Sequence, residues 1–111
     1  MQFIMFVCTD PGAPPPPADA PVDSVDTWVQ RYDDGGQRTT GSALAPAAAT
    51  KTVKVRDGGT VITDGPFAEA AEQIAGFDLL ECADLDEACR IAARHPMAAS
   101  GQIEVRALID I

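Results

Sequence analysis

The chain has 111 residues, enough for one domain with a single modest core. Its composition, 46% hydrophobic and 23% charged, is that of an ordinary globular protein. The formal net charge of −9 argues against nucleic acids and anionic membrane surfaces as partners, since both attract basic residues. With three cysteines, no C-x-x-C spacing and a single histidine, the sequence predicts neither a zinc site nor a disulfide scaffold. We expect no metal and no cofactor.

An apolar strand opens the chain. Residues 2–8, Q-F-I-M-F-V-C, place apolar side chains on both faces of this strand, so both faces should be covered. One layer of helices covers only one face of a sheet, and the second face therefore predicts a homodimer. The run lacks a basic n-region and the length of a membrane span, so we expect a cytoplasmic protein. Residues 9–21 contain four consecutive prolines and should form a stiff surface loop.

Two segments have helical spacing. Residues 22–34 place four apolar side chains on one face: Val22, Val25, Val29 and Tyr32. Trp28 and Tyr32 are predicted to pack in the core, with a place in a pocket wall as the alternative. The second helix, residues 84–95, begins with Asp84 as N-cap and Glu87 in a capping box. Its predicted buried stripe contains Leu85, Ala88, Cys89 and Ala92.

The other segments have strand patterns. They are residues 38–45, 50–56, 60–63, 76–82 and 102–109. Asp57, Gly58 and Gly59 are a strong hairpin signal between the second and third of these strands. Residues 67–73 are expected to form at most a short helical turn. The order of elements contains two β-α-β halves, as a split β-α-β fold requires.

A corner motif, Asp64-Gly65-Pro66-Phe67, ends the strand at residues 60–63. Gly accepts a positive φ, and Pro fixes φ and donates no hydrogen bond. The surrounding run, T-D-G-P-F-A-E-A-A-E-Q-I-A-G-F, resembles the signature of the YCII-related, DGPF-domain family of small bacterial proteins. Three later segments agree with that resemblance: D-L-D-E-A at 84–88, A-R-H-P at 93–96 and E-V-R at 104–106.

The resemblance implies a fold but little chemistry. It implies a single domain over residues 1–111, an α+β protein of ferredoxin-like split β-α-β topology with an antiparallel sheet and an added β-hairpin. It also implies a dimeric α+β barrel, in which two such sheets face each other. Some relatives carry a His–Asp pair with the His early in the chain. Here the first and only histidine is His95, so that pair cannot be transferred.

Candidate binding residues lie on the sheet face predicted to point away from the helices. Alternation places Arg56, Glu104 and Arg106 there with Lys54, and Asp78 or its neighbour Leu80 depending on register. Arg106, paired with a carboxylate from Asp64, Asp78 or Glu104, could bind an anionic group with two parallel hydrogen bonds. A structural salt-bridge network at a dimer interface is the simpler interpretation.

Asp64 and His95 are the two weak catalytic candidates. Asp64 stands at a strand end, where it could act as a general base, although capping the Gly65-Pro66 turn is the favoured explanation. His95 is the only side chain expected to titrate near neutral pH unaided. Its position beside Pro96, at a helix C-terminus, favours a capping or surface role.

The sequence leaves three functions open. The first is binding of a small anionic organic molecule in a pocket between sheet and helices, with activity as a cofactor-independent lyase or isomerase. The second is a non-catalytic regulatory or ligand-binding module of a sigma-factor pathway, because the family resembled is associated with sigma factors. The third is a structural dimer subunit. Whether the chain is an enzyme is not decided by its sequence.

Overall fold

The computed structural model describes residues 1–65 and 74–110. It is an α+β structure with a four-stranded sheet, a separate hairpin and three helices. The elements in chain order are β1 (Gln2–Thr9), α1 (Val25–Asp34), β2 (Arg38–Ala43), a 3-10 turn (Ala47–Ala49), β3 (Lys51–Arg56), β4 (Gly59–Asp64), β5 (Ile74–Glu81), α2 (Leu85–Ala93), α3 (Met97–Ser100) and β6 (Gly101–Ala107). Within these ranges, no helix has the length and apolar character to cross a membrane. The short helix expected at residues 67–73 lies outside the described residues.

The main sheet confirms the predicted arrangement of two interleaved β-α-β halves. Its strand order is β2-β5-β1-β6, and all neighbouring strands are antiparallel. β5 lies between β1 and β2, and β1 lies between β5 and β6. Each half is therefore split by a strand of the other half. The two central strands, β1 and β5, are the ones whose side chains are apolar on both faces.

The core lies between the main sheet and the helices. Phe3 and Met5 of β1 and Leu80 of β5 are fully buried on this side. Trp28 of α1 packs among them, and its indole Nε1 donates a 2.9 Å hydrogen bond to the carbonyl oxygen of Ile91 in α2. This bond satisfies the polar end of a buried ring and ties the two helices together. The core role predicted for Trp28 and Tyr32 is confirmed.

Side-chain caps fix where the two long helices begin. Ser24 accepts a 3.2 Å hydrogen bond from the Thr27 amide, so α1 begins at Val25. The predicted start at residue 22 is wrong. At α2 the predicted N-cap is confirmed, whereas Glu87 bonds one residue before the position that a capping box requires. Asp84 accepts a bond from the Glu87 amide, and the Glu87 carboxylate accepts one from the amide of residue 83.

The buried stripe of α2 differs from the prediction. Ala88, Ile91 and Ala92 are buried, whereas Leu85 and Cys89 are exposed. Cys89 was assigned to the buried face in error. It is small and apolar like its buried neighbour Ala88, so the spacing of apolar residues does not separate the two positions.

The predicted added hairpin is confirmed as a two-stranded sheet of β3 and β4. Asp57 and Gly58 connect the strands with φ of 52° and 76°, the left-handed values that a two-residue turn of this kind needs. Gly65, directly after β4, has a φ of 89°, in agreement with the reason given for a glycine at this corner.

Candidate functional site

A cavity of about 330 Å³ lies where β2 and β5 meet α1 and the chain between α2 and α3. Most of its wall is apolar and comes from five elements. The main apolar residues are Val7, Val25, Val29, Ala43, Phe77 and Met97. The lining also contains four polar residues, Arg38, Ser42, Asp78 and His95. A mostly apolar cavity with a few convergent polar groups is the usual form of a small-molecule site.

Arg38, the first residue of β2, forms two ion pairs beside this cavity. Its Nε donates to Asp78 Oδ1 at 2.7 Å and its Nη1 to Asp33 Oδ1 at 2.9 Å. The Arg38 and Asp78 side chains are both largely buried, whereas Asp33, at the end of α1, is open to solvent. Burial alone would lower the pKa of Arg38, but the two carboxylates outweigh it and raise that pKa. Arg38 therefore stays a cation held between two carboxylates.

Gly41 makes room for the Arg38–Asp78 pair. A Cβ at this position would overlap Asp78 Oδ1 and would come within 2.7 Å of both Arg38 Nη2 and the Phe77 carbonyl oxygen. The pair lies across the β2 backbone, where any side chain would displace it.

His95 follows α2 directly and is only 5% exposed. Its Nδ1 accepts a 3.0 Å hydrogen bond from the Met97 amide, which makes Nε2 the protonated nitrogen of the neutral ring. The ring packs edge-on against Trp28, with centroids 4.8 Å apart. Burial lowers the pKa of His95, and the nearby Asp78 carboxylate opposes that shift. Of the capping and surface roles favoured for His95, the surface role is wrong, because the ring is buried against Trp28.

Asp78 is 6% exposed and faces the same cavity. Burial raises the pKa of its carboxyl group, against the hydrogen bond from Arg38 and the field of His95. Among the described residues, neither Asp78 Oδ2 nor His95 Nε2 has a protein hydrogen-bond partner. The cavity thus presents a neutral imidazole and a carboxylate whose pKa values are shifted by burial. Such a pair can move a proton to or from a bound molecule.

Asp78 was predicted as a candidate for the sheet face away from the helices, and that placement is wrong. It pairs with the fully buried Met5 in the register of β1 and β5, and both side chains point toward the helices. Leu80 lies on the same side. The residues of β5 on the other face are Phe77 and Leu79.

Arg56 is separate from the other binding candidates. Placing it and Lys54 on the main sheet is wrong, because β3 pairs with β4 in a different sheet. Asp64, at the end of β4, is exposed, and its carboxylate pairs with Lys51 across the hairpin. Neither Arg56 nor Asp64 lines the cavity described above.

Glu104 and Arg106 lie where they were predicted, on the sheet face away from the helices. They are opposite Phe6 and Ile4 in the register of β1 and β6, and both are exposed in the single chain. No ion pair to Arg106 is formed within residues 1–65 and 74–110.

The site residues that sequence reasoning missed are Arg38 and Asp33. The one signal for them was a glycine within β2, which marks a close approach of side chains.

No group of three or more His, Cys, Asp or Glu side chains among the described residues is placed to hold a metal ion. The three cysteines are unpaired thiols. Burial raises the pKa of Cys8 and Cys82. A raised pKa disfavours the thiolate, which is the nucleophilic form.

Comparison with known proteins connects this structure to a family. The chain is 42% identical over 83 residues to an uncharacterized protein of Rhizobium meliloti (strain 1021), an alignment that covers 72% of this chain and 67% of the relative. The model of the YCII-related domain matches residues 1–111. The match extends over the sheet, the cavity and the hairpin alike. This chain belongs to the YCII-related domain family.

Proposed function

We propose that the cavity beside Arg38 binds a small organic molecule, and that His95 and Asp78 transfer a proton to or from it. One observation carries this proposal: the single histidine of the chain is buried next to a buried carboxylate on one cavity. Burying both groups costs free energy that an apolar pair would avoid. Titratable groups with shifted pKa values in a cleft are typical of functional sites.

The charges around the cavity favour an uncharged polar group on the ligand. One guanidinium is shared by two carboxylates, so the Arg38 cluster is net negative while His95 is neutral. A ligand carboxylate would have to displace Asp78 from Arg38. A carbonyl or hydroxyl oxygen can instead accept from His95 Nε2 without disturbing the ion pairs. The anionic ligand expected from the sequence is thus the second choice for this cavity.

The reaction that fits these groups is a proton transfer without a cofactor, as in an isomerase or a lyase. The neutral imidazole of His95 can donate a hydrogen bond from Nε2 to a ligand oxygen, and this bond would stabilise the negative charge that develops there while Asp78 removes a proton from the ligand and later returns it. Asp78, whose pKa is raised, can accept a proton more readily than an ordinary carboxylate. The apolar walls contributed by Val29 and Met97 would keep bulk water away from the exchanged proton.

Three probes of similar shape test the ligand class: benzamide, benzoate and benzylamine. Because the chain has one histidine, labelling the Cε1–H group of histidine gives a single NMR signal, and this signal reports on the cavity. We expect benzamide to shift this signal most. Asp78→Asn should reduce that shift, and Asp86→Asn, an exposed change in α2, should leave it unaltered. Benzoate as the strongest binder would favour the anionic ligand, and no shift with any probe would contradict binding in this cavity.

Catalysis is tested separately from binding. Native mass spectrometry of the purified protein would identify a retained small molecule, and His95→Gln would be compared with wild type for turnover of that compound. Loss of turnover with binding preserved supports proton transfer. Binding without turnover in the wild type would favour the regulatory, ligand-binding alternative.

We also propose that the sheet face away from the helices forms a homodimer interface, as in a dimeric α+β barrel. Four large apolar residues of the central strands stay partly exposed on this face: Ile4, Phe6, Phe77 and Leu79. Sedimentation should show a dimer that Phe6→Glu dissociates. Leu85→Glu, on the exposed side of α2, is the control and should not change the mass. A stable wild-type monomer of 11.6 kDa at micromolar concentration would contradict this interface.

A further inference from the structure

The hairpin of β3 and β4 is exposed on both faces. Val53, Val55 and Ile62 lie on one face and are 61%, 63% and 61% exposed. A two-stranded hairpin without a covering layer is marginally stable in water. The chain is also extended, with a radius of gyration of 16.1 Å. A compact domain of this length has a radius of about 13 Å. The hairpin therefore needs additional strands or a covering layer to be stable.

The two edges of the hairpin differ in charge. β3 carries three of the eight basic residues of the chain: Lys51, Lys54 and Arg56. Cations on an edge strand oppose pairing with another strand. β4 reads G-T-V-I-T-D, with no lysine, arginine or proline and with four β-branched residues in succession. Within the described part of the chain β4 pairs only with β3. The edge open to another strand is therefore that of β4.

We propose that β4 pairs antiparallel with β4 of a second copy of this chain, which joins the two hairpins into a four-stranded sheet. Charge favours this occupant. The formal net charge of the chain is −9, so two copies repel over most of their surfaces. The hairpin is the exception, because its three basic residues outnumber Asp57 and Asp64. Copies can approach there at the least electrostatic cost.

Symmetry favours the same arrangement. A two-fold axis perpendicular to the sheet keeps equivalent faces on one side, so the Val53, Val55 and Ile62 face of each copy would merge into one apolar face. With the axis at Val61 or Ile62, β-branched residues meet across the new pair and no like charges are opposed. The outer edges would both be β3, whose cations stop further addition. The hairpin sheet would therefore end at four strands. This inference does not depend on what the cavity binds.

Site-directed cross-linking tests the proposal. In a Cys89→Ser background, Val61→Cys and Ile62→Cys lie beside the proposed axis, and Val55→Cys on β3 is a control at a position that is at least as exposed. We expect at least one β4 variant to form a disulfide-linked dimer at least tenfold faster than Val55→Cys under mild oxidation. Thr60→Lys, which adds a cation to β4, should suppress that cross-link. Equal rates for all three cysteines, or cross-linking unaffected by Thr60→Lys, would overturn the proposal.

Discussion

Replacing Gly41 with alanine tests whether the Arg38–Asp78 pair depends on the bare backbone of β2. The new Cβ would overlap Asp78 Oδ1 and approach Arg38 Nη2 to 2.7 Å. It would also lie 2.7 Å from the Phe77 carbonyl oxygen, which belongs to the paired strand β5 and cannot move aside without loss of a ladder bond. The side chains of the ion pair must therefore shift, or the two strands must separate.

The expected cost follows from these contacts. Adding a methyl group to a filled site destabilises proteins by about 1–3 kcal/mol. Complete loss of the ion pair would raise the cost toward about 3–5 kcal/mol, because the Asp78 carboxylate would stay buried without its cation. Any Gly→Ala change also stabilises by about 0.4–1 kcal/mol through the unfolded chain. We therefore compare Gly41→Ala with Gly59→Ala, where the nearest atom to the new Cβ is an ordinary 3.7 Å away.

Urea unfolding and thermal melting measure the difference. We expect Gly41→Ala to be less stable than Gly59→Ala by about 1–3 kcal/mol. For a domain of this size, this corresponds to a melting temperature lower by about 4 °C or more for each kcal/mol. The histidine NMR signal should move in Gly41→Ala alone, since Asp78 acts on His95. Equal stability of the two variants would refute the claim that Gly41 makes room for the pair.

Three further predictions concern the core and the helices. Burial lowers the pKa of His95 in the folded chain below its ordinary value of 6.5. As the pH falls below about 6.5, the unfolded chain therefore binds a proton that the folded chain does not, and the free energy of unfolding should decrease. His95→Gln should remove this pH dependence of the unfolding free energy, measured by urea unfolding of both proteins at several pH values. The raised pKa of Asp78 has the opposite effect at lower pH, where protonation of the folded chain increases the free energy of unfolding. Trp28→Phe removes the bond to the Ile91 carbonyl and should cost about 1–3 kcal/mol, measured by urea unfolding. Asp84→Ala removes a helix cap and should cost about 1 kcal/mol by the same measurement, and no loss would contradict the capping role.

Local chemistry made much of the fold predictable. The Asp84 N-cap and the Asp57-Gly58 turn act within a few residues, and both are confirmed. The apolar character of residues 2–8 on both faces agrees with the central position of β1 in the sheet. The start of α1 was misplaced because Val22 continues the helical spacing, whereas the Ser24 cap decides where the helix begins.

The cavity depended on information that is not local. Asp78 and Leu79 are neighbours on faces that spacing alone cannot assign, because β5 carries apolar residues on both sides. A one-residue change of register exchanges these faces. His95 was given a capping or surface role for its position at the end of α2, yet its ring is buried against Trp28. Arg38 stood at the start of a weak strand pattern, and nothing near it in sequence shows its partner forty residues later.

The burial of Arg38, Asp78 and His95 together is hard to explain by stability alone. An ion pair at this depth is close to neutral in free energy when compared with apolar residues of similar volume. His95 adds a further cost on acidification, because its buried ring resists protonation. The cluster nevertheless has open space beside it, where an apolar side chain could have filled the cavity. A structure that keeps both the polar cluster and the space next to it retains the two parts that a small-molecule site needs.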